Sequence, residues 1–178
     1  MDEAKLTETP YGRRPEGEGW FVLNAKDALW GESADFGRGT RFEGDGDAAF
    51  TQFGINIRVL LPGQPLCKYH AENAQEAFLV LSGSGTLIVE GEERPLARWD
   101  FIHCPAWTKH VIVASGSESL VVLSVGTRPE QEELLYPRDE TALKHGAGVE
   151  FETTSGDEAY AGTSDYIGTG YVEGDLPG

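Results

Sequence analysis

Residues 62–85, PGQPLCKYHAENAQEAFLVLSGSG, decide the fold class and carry the first candidate functional residues. The apolar run EAFLVL lies between a proline-glycine turn and the glycine-rich SGSG turn, a pattern typical of a short β-strand. His70 and Glu72 are two residues apart, so their side chains point to the same face of an extended chain. Glu76 opens the next strand. The stretch therefore predicts a strand with several metal-ligating side chains at its start.

Apolar segments on both sides of this stretch repeat the strand pattern. In GINIRVLL, residues 54–61, Ile55, Ile57 and Val59 alternate with polar residues at the period of a half-buried strand. The segments TLIVE, HVIVA and SLVVLSV follow, separated by turns or loops. A strand about every dozen residues predicts a sandwich or barrel. Since 178 residues with 39% hydrophobic content suit one core rather than two, the sequence predicts a single all-β domain.

A second segment, residues 99–114 with the sequence WDFIHCPAWTKHVIVA, supplies another candidate ligand. His110 lies at the start of the apolar strand HVIVA. Imidazole and carboxylate groups are the usual nitrogen and oxygen ligands of first-row divalent metals. Together, His70, Glu72, Glu76 and His110 would bind one such ion and leave room for water or substrate.

These two segments resemble the paired motifs of the cupin superfamily, across about residues 55–125. The first motif is glycine, a spacer, His-x-His, glutamate and glycine; the second is glycine, proline, glycine and histidine. The chain departs from both: a glutamate replaces the second histidine, and tryptophans replace two glycines. The matching positions are Gly63, His70, Glu72, Glu76 and Gly83 in the first motif, and Trp99, Pro105, Trp107 and His110 in the second.

The resemblance implies a cupin-type β-barrel, a double-stranded β-helix or jelly roll, with short helical or irregular flanking segments. It also implies one divalent transition metal ion, with iron, manganese, zinc and nickel all open. The implied function is a metal-dependent enzyme, a dioxygenase or an isomerase, that acts on a small organic molecule. A non-catalytic ligand-binding or sensing protein with a structural metal is the alternative, and a barrel without metal is the third.

Three further residues are candidates for substrate binding. Arg58 would anchor a carboxylate or phosphate if it faces the barrel interior, and the strand period alone does not decide its face. His103 lies close to the second motif and could act on substrate as an acid or base. Trp107 could shape the pocket with its indole ring.

The chain divides into three regions by composition. Residues 1–19 mix charge, proline and glycine without periodicity, which predicts a flexible N-terminal arm unless these residues lie across the barrel or a partner subunit. Residues 20–128 are the expected barrel, beginning with a wrapping strand at WFVL, residues 20–23. Residues 129–178 form an acidic C-terminal extension, expected to pack on the barrel or on a partner subunit. Because barrels of this type commonly pair, a homodimer is expected.

The net charge of −16, from 30 acidic and 14 basic residues, limits the partners of this chain. Such a surface repels nucleic acid and anionic lipid, so neither is an expected partner. The sequence contains no apolar run of about 18 residues, and its start lacks the features of a secretory signal, which predicts a cytoplasmic protein. Cys67 and Cys104 lack CxxC spacing and are expected to be reduced thiols.

Overall fold

The computed structural model describes all 178 residues. Strands and isolated β-bridges together hold 42% of the residues and helices 7%, so the predicted all-β class is confirmed. The strands are β1 (Lys5–Thr9), β2 (Gly12–Glu16), β3 (Trp30–Ser33), β4 (Gly37–Arg41), β5 (Phe53–Leu60), β6 (Ala71–Glu72), β7 (Glu76–Ser82), β8 (Gly85–Val89), β9 (Glu92–Leu96), β10 (Phe101–Cys104), β11 (His110–Ala114), β12 (Leu120–Thr127), β13 (Leu134–Leu135) and β14 (Ile167–Gly168).

Two antiparallel sheets form the body of the molecule. A seven-stranded sheet has the order β10-β7-β12-β5-β4-β3-β14, and a three-stranded sheet has the order β11-β8-β9. The pairs β1-β2 and β6-β13 form separate two-stranded ribbons. Non-consecutive strands are neighbours in both main sheets, as expected for a jelly-roll arrangement.

The main hydrophobic core lies between the two sheets. Phe78, Val80 and Val122 face this core from the seven-stranded sheet, and Leu87 and Ile112 face it from the three-stranded sheet. We call the side of the seven-stranded sheet that carries Phe78 and Val80 its inner face. Alternation along each strand places the remaining side chains on the opposite, outer face.

The C-terminal extension packs on the outside of both sheets. Ala142, in the short helix α1 (Glu140–Lys144), packs with Val111 of the three-stranded sheet. Tyr171 packs with Trp30 and Val121 on the outer face of the seven-stranded sheet. A second short helix, α2 (Gly156–Ala159), and a 3-10 turn (Gly46–Ala48) complete the regular elements. No helix in this structure has the length and apolar character that crossing a membrane requires.

The N-terminal region differs from the sequence prediction. Within residues 1–19, β1 and β2 form a hairpin, and backbone bonds from Arg13 N to Asp27 O (2.7 Å) and from Ala4 N to Trp20 O (2.8 Å) tie it to the next segment. The hairpin contains charged residues and little apolar alternation, so the sequence pattern does not reveal it.

The predicted wrapping strand is wrong in position. WFVL, residues 20–23, contains only an isolated bridge at Trp20, and Trp20 and Val22 are exposed. The wrapping strands are instead β3 and β4, whose glycines give a weak strand signal in the sequence. The apolar character of WFVL therefore does not reflect burial. Cys67 and Cys104 are both free, as expected.

Candidate metal centre

An isolated backbone bridge brings two of the candidate ligands, His70 and His110, together. His70 precedes β6 and forms a two-residue bridge with His110, the first residue of β11. The paired backbone bonds are 3.2 Å from His70 N to His110 O and 2.9 Å from His110 N to His70 O. Glu76 is the first residue of β7 and enters from the seven-stranded sheet. The starts of β6, β7 and β11 therefore lie close together between the sheets.

The three side chains bring their ligand atoms close to one another. Glu76 Oε2 is 3.0 Å from His110 Nε2 and 3.6 Å from His70 Nε2. One ligand atom from each residue falls within 4.8 Å of the others. We call His70, Glu76 and His110 the metal centre.

Hydrogen bonds on the far side of each ring fix the orientation of both histidines. His70 Nδ1 lies 2.9 Å from the carbonyl oxygen of Lys68, and His110 Nδ1 lies 2.9 Å from that of Thr108. Each Nδ1 therefore donates a hydrogen, which leaves Nε2 as the atom able to coordinate an ion. Metal-ligating histidines in proteins are held in this way.

The atoms that face each other at the centre have no hydrogen-bond partner. Glu76 Oε2 and His110 Nε2 are buried, and despite their 3.0 Å separation the geometry of a hydrogen bond is not met. Buried polar atoms are rarely left without a partner. A cation between these atoms would satisfy both, so the residues fit a divalent metal.

The pKa values of Glu76, His110 and His70 are shifted by the attraction between the carboxylate and the imidazoles. Burial opposes ionisation of Glu76, but the attraction of the nearby His110 and His70 outweighs it and lowers the pKa of Glu76 to about 2. Burial likewise lowers the pKa of His110, yet Cys104 and Glu76 outweigh it and raise that pKa to about 10. The pKa of His70 also stands well above its usual value, because Cys67 and Glu76 outweigh burial.

Glu72, the fourth predicted ligand, does not join the other three. It lines the same cavity as the metal centre but lies outside the group whose ligand atoms converge. Its backbone in β6 pairs with Leu134 of β13 rather than with the main sheets. Burial and repulsion from Glu76 raise the pKa of Glu72 to about 7. A carboxyl group that is partly protonated at neutral pH therefore lies beside the metal centre.

A cavity of about 280 Å³ opens next to the metal centre, and we call it the central cavity. Its volume lies just below the range of about 300–1,000 Å³ that is usual for small-ligand pockets. Acidic, aromatic and apolar side chains share its wall. The lining residues are Asn56, Arg58, Leu66, Cys67, His70, Glu72, Glu76, Phe78, Ser124, Glu132, Leu134, Tyr136 and Tyr160.

The three predicted substrate-binding residues lie in different places. Arg58 lines the central cavity, from the inner face of β5. His103 is exposed on β10, at the edge of the seven-stranded sheet, and does not line the cavity. Trp107 is 47% exposed and also lies outside the cavity lining.

Several cavity residues were not predicted from the sequence. Asn56 could have been found, because it is two residues from Arg58 on the same strand and therefore shares its face. Ser124 lies directly opposite Asn56 on β12 and could have been found by alternation. Tyr136 and Tyr160 come from the C-terminal extension, where no pattern in the sequence indicates contact with the centre.

The two tryptophans at glycine positions of the motif keep a glycine-like backbone. Trp99 has φ of 75° and Trp107 has φ of 68°, both in the left-handed region. This conformation costs about 1–2 kcal/mol per residue for a side chain other than glycine. The turns of the second motif therefore retain their shape, and the indole rings point outward rather than closing the central cavity.

Comparison with known proteins gives a family for the central part of the chain. Residues 56–126 match the family described as Cupin domain. No curated protein matches the chain at a significant level. A sugar phosphate isomerase of the cupin superfamily from Silicibacter pomeroyi superposes with a TM-score of 0.57 at 23% identity, covering 67% of this chain and 88% of that one.

Two further solved structures are similar. The polyketide cyclase RemF from Streptomyces resistomycificus has a TM-score of 0.52 at 15% identity, covering 62% of this chain and 82% of that one. A protein from Acidithiobacillus ferrooxidans, provisionally assigned as a sugar phosphate isomerase, is 31% identical with a TM-score of 0.49. That alignment covers 55% of this chain and 64% of the Acidithiobacillus protein. The family match is confined to residues 56–126, and the Silicibacter and Streptomyces structures share the fold of this chain.

Proposed function

We propose that this protein is a metal-dependent enzyme acting on a small organic molecule, with one divalent transition metal on His70, Glu76 and His110. One observation carries the proposal: two buried ligand atoms, Glu76 Oε2 and His110 Nε2, face each other without a hydrogen bond. In addition, the Nδ1 atom of each histidine lies within hydrogen-bonding distance of a backbone carbonyl. A buried site held in this way is organised for an ion rather than for packing.

The ligand set favours an oxygenase as the first candidate reaction. Two imidazoles and one carboxylate, with further positions open, are typical of non-haem iron dioxygenases. A bound iron would supply oxygen activation, and the protein would supply the ligands and a cavity that limits access of water. Manganese, zinc and nickel suit the same donors, so the metal has to be measured rather than inferred.

An isomerase is the second candidate, and Glu72 is the observation that favours it. With its pKa raised to about 7, Glu72 can both accept and donate a proton near neutral pH. It lines the central cavity, where a substrate would lie. Zinc or manganese would act in this case as a Lewis acid. The similar folds carry different activities in their names, isomerase and cyclase, so the fold does not choose between these reactions.

Elemental analysis tests the proposal directly. The protein is purified without chelators or a histidine tag, beside the double variant His70→Ala, His110→Ala and the control variant His145→Ala. His145 lies on the surface, bonded to Glu93. We expect about one equivalent of a transition metal in the parent and the control, and none in the double variant.

Two other results would contradict the proposal or narrow it. A parent protein that holds no metal and takes up none of iron, manganese, nickel or zinc would contradict the metal-dependent enzyme. If the protein binds metal but the metal-loaded protein does not react with dioxygen or with any substrate, the non-catalytic ligand-binding alternative is favoured. Iron would direct the substrate search toward oxygenation, and zinc or manganese toward isomerisation.

We further propose that the protein forms a homodimer through the outer face of the seven-stranded sheet near β10. Phe101 on this edge strand is 68% exposed, and both Leu79, opposite it on β7, and Leu123, opposite Leu79 on β12, are partly exposed. Light scattering of the parent and of Phe101→Asp tests this contact. A dimer mass in the parent and a monomer mass in the variant are expected, and a monomeric parent would overturn it.

A further inference from the structure

Arg58 places a positive charge inside the molecule without a negative partner. Its Nη2 atom donates to the carbonyl oxygen of Phe36 at 2.8 Å, while its Nε atom is buried and has no partner. None of the ion pairs in the structure involves this guanidinium, although the chain carries a large excess of acidic residues. Buried charges are normally paired, because leaving water is costly for an ion.

Neighbouring residues hold this guanidinium in place rather than neutralise it. At Gly39, directly opposite Arg58 on β4, a β-carbon would lie 2.7 Å from Arg58 Cδ, so only glycine leaves room for the side chain. The ring of Tyr166 lies 5.0 Å from Arg58 Cζ and stabilises the cation through its π face. The structure thus maintains an unpaired cation in a fixed position.

Two further polar side chains share the inner face with Arg58. Asn56 lies two residues away on β5, and Ser124 lies opposite Asn56 on β12. Both line the central cavity together with Arg58, and Ser124 Oγ is buried without a hydrogen-bond partner. Two residues that each carry an unpartnered donor atom, Arg58 and Ser124, therefore line the cavity that also contains His70 and Glu76 of the metal centre.

We propose that the central cavity binds the carboxylate of a small organic acid, with Arg58 as its anion-binding residue. Arg58 is the only lysine or arginine among the residues that line this cavity. Its single charge matches a carboxylate better than a phosphate dianion, since the other ionisable groups on the wall near the metal centre are the acidic Glu72, Glu76 and Glu132 and a single histidine, His70. The inference deepens the proposed function, because it names the substrate class of the same site.

The first test needs no substrate. If Arg58 serves binding, Arg58→Met should leave the melting temperature of the metal-free protein unchanged or raise it, since the substitution removes an uncompensated charge. Arg38→Met is the matched control, because Arg38 is bonded to Asp175 at 2.8 Å and to Glu32 at 3.0 Å. The control should melt at a lower temperature. Equal losses in both variants would make Arg58 a structural residue and overturn the proposal.

The second test measures binding by ligand-observed NMR. The probes are acetate, pyruvate, malonate and benzoate, their neutral amides, and methylphosphonate. At least one carboxylate should bind and its amide should not, and Arg58→Met should weaken binding by roughly tenfold or more. The surface variant Arg94→Met should bind as the parent does. The proposal is overturned if no carboxylate binds, if Arg58→Met binds equally well, or if methylphosphonate binds more tightly than every carboxylate.

Using both metal-free and zinc-loaded protein separates this proposal from the proposed function. Carboxylate binding that depends on Arg58 in a protein unable to hold metal would support the anion site and contradict the metal-dependent enzyme. One equivalent of bound metal without carboxylate binding would support the metal-dependent enzyme and contradict the anion site.

Discussion

The two faces of the seven-stranded sheet differ in whether their arginine side chains are paired with carboxylates. On the outer face, Arg38 pairs with Asp175 and Glu32, and its Nη2 atom also donates to the carbonyl of Gly170 at 2.7 Å. On the inner face, the adjacent strand position places Arg58 opposite Gly39 with no carboxylate partner. The outer face uses its charges to fasten the C-terminal extension. The inner face keeps its polar atoms free, which costs stability and provides a binding surface.

The largest expected effect is on the metal centre. Glu76→Gln should weaken metal affinity by about 100-fold or more, because it removes the only anionic ligand among the three. Glu72→Gln should retain about one equivalent of metal, since Glu72 lies outside the converging group. Metal content after dialysis measures both, with the exposed Glu93→Gln as control. Loss of metal in both cavity variants would restore the four-ligand site that the sequence predicts.

Metal affinity should depend strongly on pH, because His70 and His110 must lose protons before they bind an ion. In the metal-free protein the pKa of His110 is raised to about 10 and that of His70 is also raised, so protons compete with the metal at neutral pH. Affinity should therefore rise with pH, by up to about tenfold per pH unit for each proton displaced. Competition with a chromogenic chelator between pH 6 and 9 measures it. A flat profile would mean that the imidazoles are already neutral.

On the outer face, Asp175→Asn should destabilise the protein. The side chains of Arg38 and Asp175 expose only 14% and 13% of their surface, so their ion pair is largely screened from water. Removing the negative partner should cost about 2–3 kcal/mol in the free energy of unfolding, somewhat less than for a fully buried pair. Urea denaturation measures the change, and Glu173→Gln, whose carboxylate is 82% exposed, should show almost none.

The smallest expected effect on stability concerns two serines, Ser33 and Ser124. Ser33 Oγ lies 2.8 Å from Ser164 Oγ, and it also accepts a hydrogen bond from Phe36 N at 3.3 Å. Ser33→Ala should therefore cost about 1–2 kcal/mol, whereas Ser124→Ala should be neutral or slightly stabilising because Ser124 Oγ has no partner to lose. Thermal denaturation compares the two. A similar loss in both variants would show that Ser124 is bonded in solution and would weaken the contrast between the faces.

Much of the fold and part of the site can be predicted because they depend on local patterns. Alternation in GINIRVLL and the apolar run after Glu76 predict β5 and β7, since a strand places successive side chains on opposite faces. The hairpin β1-β2 and the strands β3 and β4 escape prediction. Their order comes from backbone bonds to neighbours, and their polar or glycine-rich residues give no period.

The candidate site also contains residues that local patterns predict and residues whose position depends on distant parts of the chain. His70, Glu76 and His110 are recognisable by spacing, whereas the exclusion of Glu72 depends on β6 pairing with β13 of the C-terminal extension. A strand as short as β6 has no local sequence pattern from which its pairing partner, β13, could be predicted. The inward direction of Arg58 is likewise fixed by the register of β5 against β4 and β12.

By itself, the sequence determined the all-β class, the resemblance of about residues 55–125 to the cupin superfamily and the three residues that converge on the metal centre, because strand period and motif spacing are local properties of the chain. Tertiary structure alone decided that Glu72 lies beside this centre, that His103 and Trp107 lie outside the cavity, and that Arg58 faces inward without a partner. The physical reason is that pairing of a buried charge depends on groups brought together from distant parts of the chain, which no local pattern records.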